Sequence, residues 1–270
     1  MFPRNTPWAV FIASPFTSLS DGMRILLTND DGYDQPGLIE LENLLLDEHE
    51  VWVVAPLHHC SGASHSLGLY SSMELREEGS RKWSLEGTPT DCVKIALMEV
   101  MKDNSPDLLI SGINPGANMA NNIFYSGTVA AATEAALWGI PSIAISIQVT
   151  SPERKPFFKT ASSVLDSLMK AGIVEKLPPG TILNINVPEV EEIEGMKWTK
   201  MARFATDIPF RQLEPGRVFV YDRYRSLPVV EPLDTDVSAV NMSIVSLTLL
   251  DSNRTSSVVP PYLELVDGSN

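Results

Sequence analysis

Cysteine is scarce in this 270-residue chain: only Cys60 and Cys92 occur, in no CxxC or Cys/His zinc spacing. That argues against a disulfide scaffold or structural zinc and suits a reducing cytoplasm, the expected location. No apolar run reaches the roughly 18 residues of a membrane-spanning helix, so no membrane partner is expected. Basic residues are outnumbered, 20 Lys and Arg against 34 Asp and Glu, for a net charge of −14. Such a surface repels long polyanions and argues against a protein that coats nucleic acid. A small phosphorylated substrate stays compatible, because a bound cation reverses the sign locally. Repeats, low-complexity tracts and flexible linkers are also lacking. Residues 1–22 hold one short apolar stretch for which a signal peptide is the less favoured reading, since the stretch is brief and interrupted by Pro15. They read as an extension outside the fold, with one α/β domain over 23–270.

What is present is a regular alternation. Residues 24–28 form a short apolar run, as a buried parallel strand would read. Residues 37–47 carry Leu or Ile at 38, 39, 41, 44 and 45, a helical face. Residues 51–55 are the next strand, which makes a βαβ unit of expected right-handed crossover. A loop rich in Ser, Gly and His follows over 57–82, with one edge strand. Thr88 then caps a helix running to about Met101, with Pro89 in its first turn. Strands at 107–111, 142–147 and 181–187 alternate with helices at 126–138 and 157–171. The pattern predicts a Rossmann-like, doubly wound and mostly parallel sheet. Beyond about 190 the rhythm changes: 218–221 and 242–249 read as strands without intervening helices, an antiparallel extension for oligomer contacts.

Ligands of open α/β sheets bind outside the carboxyl ends of the strands, and three polar clusters fall at such ends. The first is Thr28-Asn29-Asp30-Asp31-Gly32. Two adjacent carboxylates in a glycine-closed turn can face one hard cation such as Mg²⁺ or Mn²⁺; a solvated acidic turn reads the same way. The second is 111–118, where Asn114 offers an oxygen to a metal or an amide to a phosphoryl group, or simply makes an Asn-Pro-Gly turn. The third, Tyr125-Ser126-Gly127-Thr128, opens a helix: a phosphate site, or plain capping by Ser126. In the loop after the second strand, Ser61 can give a hydroxyl oxygen to a metal, and His58 or His59 can assist a leaving group. Asp91 and Lys94 read as capping and surface charge.

Taken in order, several blocks resemble the SurE family of nucleotidases. They are 23–32 with Pro36-Gly37, then 60–64, 87–93, 111–114 and 125–129. The resemblance implies a Rossmann-like core, one divalent ion per subunit (Mg²⁺ or Mn²⁺), and hydrolysis of nucleoside 5′-monophosphates, with 3′-monophosphates as further substrates. It implies metal ligands at Asp30, Asp31, Ser61 and Asn114, of which Asp30, Asp31 and Asn114 also serve catalysis. Phosphate contacts are expected from Asn29, Asn114, Ser126, Gly127 and Thr128. A homodimer or homotetramer built through the C-terminal segment is implied too. The chain departs from the family at Cys60, where a basic residue is usual, and at Asp34-Gln35 and Asn121-Asn122. These departures motivate one rival reading, a nucleotide-binding sensor with weak catalysis. An aspartyl-phosphate route is disfavoured because its two aspartates are usually spaced two apart, whereas these are adjacent. No GxGxxG follows the first strand, which speaks against a dinucleotide oxidoreductase.

Overall fold

The computed structural model of the chain describes residues 22–150, 156–190, 192–203, 206–207, 210–214, 216, 218–221, 225–226, 232–253 and 255. The expectation for the N-terminal extension therefore lies outside the described residues, Gly22 apart.

Strand β1 (Arg24–Thr28) is buried along almost its whole length, as its run of aliphatic residues requires. Helix α1 (Pro36–Leu45) begins on a proline that presets the first turn and turns Leu38, Leu41 and Leu45 inward. Strand β2 (Glu50–Pro56) returns parallel to β1. The loop after it ends in the exposed β3 (Leu75–Gly79), which pairs antiparallel with β4 (Lys82–Leu85). Helix α2 (Pro89–Ile95) opens with a capping box: the Asp91 amide donates to Thr88 Oγ1, and the Thr88 amide donates to Asp91 Oδ2. One π turn over Ala96–Val100 carries it on to Met101. Then follow β5 (Leu108–Pro115), α3 (Gly127–Leu137), β6 (Ser142–Ile147), α4 (Phe158–Lys170) and β7 (Thr181–Val187). Strand β5 continues four residues beyond the expected strand end, with a register irregularity between Ser111 and Asn114.

Beyond β7 the chain forms β8 (Gly195–Thr199) and four short strands: β9 (Thr206–Asp207), β10 (Phe210–Glu214), β11 (Val218–Tyr221) and β12 (Arg225–Ser226). Helix α5 (Asp236–Asn241) and β13 (Ile244–Asp251) complete it. One expectation needs correcting here: a helix, α5, does intervene, nucleated by the Thr235 side chain capping Ser238. Strand β13 is antiparallel as expected, and it takes that place within the main sheet, beside β7, with β8 parallel on its other side. Its Val245 and Leu247 are buried, and that burial favours the sheet over the surface. The pairs β10–β11 and β9–β12 lie outside that sheet.

The nine strands lie in the order β3-β4-β2-β1-β5-β6-β7-β13-β8, parallel from β4 to β7. Alternation along β1 divides the core. Ile25 and Leu27 face one cluster with α1 and α4, whereas Leu26 faces the other with Cys92, Val93 and the alanines of α3. Helix α3 is buried on nearly every side, so small residues let it sit close to both the sheet and α2. Truncating Leu26 to alanine in so tight a layer costs about 2–5 kcal/mol.

Candidate active site

The chain winds from β1 to β2 on one side and reaches β5 on the other, so the strand order reverses between β1 and β5. Such a switch point opens a crevice at the carboxyl ends of the strands. Thr28 pairs with Ser111 across it, which brings Asn29, Asp30 and Asp31 out beside the segment leading to Asn114. Glycine at position 37 matters to this junction. A Cβ there would lie 2.1 Å from the Ile113 carbonyl oxygen, so only glycine lets α1 rest against the end of β5.

The carboxylate turn is held from within. Buried Asn29 donates through Nδ2 to the Gly32 carbonyl at 2.8 Å and accepts the Gly32 amide at 3.1 Å. Its carboxamide is thus engaged in closing the turn. Asp30 is buried, and its Oδ1 accepts the Thr128 hydroxyl at 2.6 Å. Its carbonyl accepts the Cys60 amide at 2.7 Å, which anchors the loop carrying exposed Ser61. A second tie, from the Ser64 amide to the Tyr125 carbonyl, joins that loop to the start of α3.

Helix α3 meets the pair with its N-terminus. Ser126 caps it by accepting the Val129 amide, and its side chain is buried in doing so. A Cβ on Gly127 would lie 2.8 Å from Asp30 Cβ and 3.0 Å from Asp30 Oδ2, so glycine sets how near the helix end comes to the carboxylate. Asn114 donates through Nδ2 to the Gly116 carbonyl at 2.5 Å. Its carboxamide oxygen is then the atom it offers to a ligand.

The electrostatics are those of two acids confined together. Burial pushes Asp30 above the ordinary carboxylate value, against the Thr128 hydrogen bond. Burial, and then the charge of Asp30, push Asp31 to about 6, while His59, at 3.4 Å from Asp31, opposes the rise. A cation between the pair would relieve both effects. An all-oxygen set of two carboxylates, a carboxamide and a hydroxyl suits a hard divalent ion. No group of three or more His, Cys, Asp or Glu could hold a metal among the described residues, so a metal here would depend on the neutral oxygens as well.

One constellation escaped the sequence reading. Glu134, buried in α3, receives the Trp138 indole at 3.0 Å and the Lys94 ammonium at 3.2 Å, and lies 2.9 Å from His65 Nε2. Lys94 also lies over the Trp138 ring, so it bridges α2 and α3 and is not simply a surface charge. The signal was legible: Glu134 is the only charged residue in an alanine-rich helix, and a lone buried acid there needs partners.

Fold and site together define an open-sheet α/β protein with an anionic ligand site, at its switch point, suited to a hard cation. The family model described as Survival protein SurE matches residues 25–207. A protein of Nitrobacter hamburgensis named 5′-nucleotidase SurE is 36% identical over 244 residues, covering 86% of this chain and 95% of its own. Another of that name, from Aliivibrio fischeri, is 42% identical over 202 residues, covering 74% and 77%. The crystal structure of the SurE protein of Aquifex aeolicus superposes with a TM-score of 0.76 at 34% identity, covering 86% and 94%. The chain belongs to the SurE family.

Proposed function

We propose that this chain is a divalent-metal-dependent 5′-nucleotidase, hydrolysing nucleoside 5′-monophosphates to nucleoside and phosphate, with 3′-monophosphates as further substrates. The observation that carries the reading is the confined Asp30–Asp31 pair against the N-terminus of α3, at the switch point of the sheet. The printed names of the relatives, 5′-nucleotidase SurE, support the substrate class.

In this reading Asp30, Asp31, Ser61 and Asn114 hold one Mg²⁺ or Mn²⁺ per subunit. When bound, the ion supplies positive charge that polarises a phosphoryl oxygen and acidifies the attacking water. Thr128 fixes the rotamer of Asp30 through its hydroxyl. The amides of Gly127 and Thr128, in the first turn of α3, offer hydrogen bonds and the positive end of the helix dipole to the remaining phosphoryl oxygens. Ser126 serves by shaping that first turn, and Asn29 by closing the turn that presents both acids. Asn114 contributes its oxygen from the far side of the crevice. An aspartate of the pair takes the proton of the attacking water.

The same reading includes a cytoplasmic location, supported by two unpaired thiols. No helix among the described residues is long and apolar enough to cross a membrane. It also includes a homodimer or homotetramer joined through the segment after about residue 190. Exposed Met196, Trp198, Met201 and Leu213 support that, as does the β10–β11 pairing outside the main sheet. The test of the activity is phosphate release from the common nucleoside monophosphates with Mg²⁺, with Mn²⁺ and with chelator. Metal-dependent release is expected; nucleotide binding without release would instead favour a sensor.

A further inference from the structure

A cleft of about 220 Å³ runs along one flank of α3, starting at Ser126. Ile123, Phe124, Val129 and Ala130 give it apolar walls, and His65 lies among its lining residues. Its α3 side extends from Ser126 to Thr133, about 10 Å of helix at 1.5 Å per residue. That is the reach of a nucleoside whose phosphate sits at the helix N-terminus. The volume is below the roughly 300–1,000 Å³ typical of drug-sized ligands, which suits one nucleoside.

The polar groups of the cleft differ in what they have left to give. Thr133 already donates to the Val129 carbonyl, and Ser126 already accepts the Val129 amide. Asp251, exposed at the rim, accepts the Asn253 amide. His65 is held differently, by Nε2 against Glu134 Oε2. A carboxylate only accepts, so Nε2 donates to it, and Nδ1 is the ring atom left for a ligand. Burial alone would raise Glu134; hydrogen bonds from His65 and Trp138 and the nearby Lys94 outweigh it and hold it at about 2. It is therefore a carboxylate at any physiological pH, and the ring orientation it imposes is constant.

We propose that this cleft receives the nucleoside of the substrate, with His65 hydrogen-bonding it and Glu134 acting as the residue that positions His65. The proposal rests on the nucleotidase reading and specifies its second half: the N-terminus of α3, beside the metal site at Asp30, takes the phosphate, and the flank of α3 takes what the phosphate is attached to. A ring held in one orientation presents Nδ1 at a fixed point, where a ribose hydroxyl, able to donate or accept, can hydrogen-bond it.

The test compares AMP with p-nitrophenyl phosphate, which has a phosphate but no nucleoside, in the full chain with Mn²⁺. His65→Ala should raise KM for AMP about tenfold, the worth of one lost hydrogen bond, with kcat and both parameters for p-nitrophenyl phosphate nearly unchanged. Glu134→Gln should shift KM for AMP in the same direction by less, and His65→Asn should recover part of the loss. An equal effect on both substrates, or a fall in kcat with KM intact, would overturn the assignment. Calorimetric titration with adenosine separates this proposal from the nucleotidase reading. Adenosine binding that His65→Ala weakens supports the cleft even in a protein without turnover. Absent binding, or equal binding in both proteins, overturns it even in an active enzyme.

Discussion

Thr128 Oγ1 and Asp30 Oδ1 lie 2.6 Å apart across 98 residues of sequence, both buried, so the start of α3 and the end of β1 share one hydrogen bond. This contact couples the proposed phosphate end of the site to its proposed metal end. Replacing Thr128 with valine keeps the shape and deletes the donor, leaving a buried carboxylate less satisfied at a cost of about 1–3 kcal/mol. Thr128→Val should lower both Mn²⁺ affinity and turnover, and Thr128→Ser should restore most of both. Calorimetric titration with Mn²⁺ checks the first, and phosphate release the second.

Gly127 poses two opposed effects whose sizes decide the outcome. Alanine is favoured over glycine by up to about 1 kcal/mol within a helix, and by less at a first-turn position such as 127. Against it, the new Cβ would sit 2.8 Å from Asp30 Cβ and 3.1 Å from Pro89 Cγ, both closer than ordinary contact. The clash falls on the carboxylate, so Gly127→Ala should fold and yet lose most of its activity. A circular dichroism melt near wild type, with turnover reduced at least tenfold, is the expected pair of results.

The raised Asp31 gives a pH dependence with a definite sign. Its folded value is about 6 and its ordinary value 3.8. Between these, the folded chain binds the proton that the unfolded chain releases, so Asp31 costs the metal-free fold nothing at low pH. The cost grows as pH rises from about 4 through 6. In chelator, Asp31→Asn should therefore be more stable than wild type at pH 7.5, with the gap closing as pH falls below 6. Mn²⁺ requires the ionised acid, so the stabilisation it gives wild type should shrink over the same interval. Urea unfolding at several pH values, with and without Mn²⁺, reads both.

Asp236 makes a further claim, about the scaffold. Fully buried, it accepts the amides of Ala120, Ala202 and Val237 at 2.8–2.9 Å, tying α5 to the loop after β5 and the segment after β8. Burial raises its pKa, and these amides oppose the rise. Asp236→Ala strands buried amides and should cost about 3 kcal/mol or more, read as a lower urea midpoint.

Much of the architecture was legible because the core strands are apolar runs and α2 and α3 carry their own side-chain caps. The 181–187 and 142–147 strands needed nothing else. Residues 242–249 also read as a strand, but their partner did not: pairing with β7 is long-range, and nothing local in the text marks it. Helix α5 was missed because six residues are too few to show a period. At the site, the turn at Asp30 and the cap at Ser126 were visible as local chemistry. The Thr128 contact, the amide from Cys60 and the His65–Glu134 pair were not, since each depends on two segments distant in sequence meeting in the fold.

The central claim is that phosphate ester hydrolysis depends on a cation held by Asp30. Its most direct test is phosphate release from AMP by wild type and Asp30→Ala, each with saturating Mn²⁺ and with chelator. The account predicts release by wild type with Mn²⁺ alone, and a loss of about a hundredfold or more in the variant, as expected when transition-state charge stabilisation is removed. Turnover by Asp30→Ala near the wild-type rate, with metal present, would contradict it.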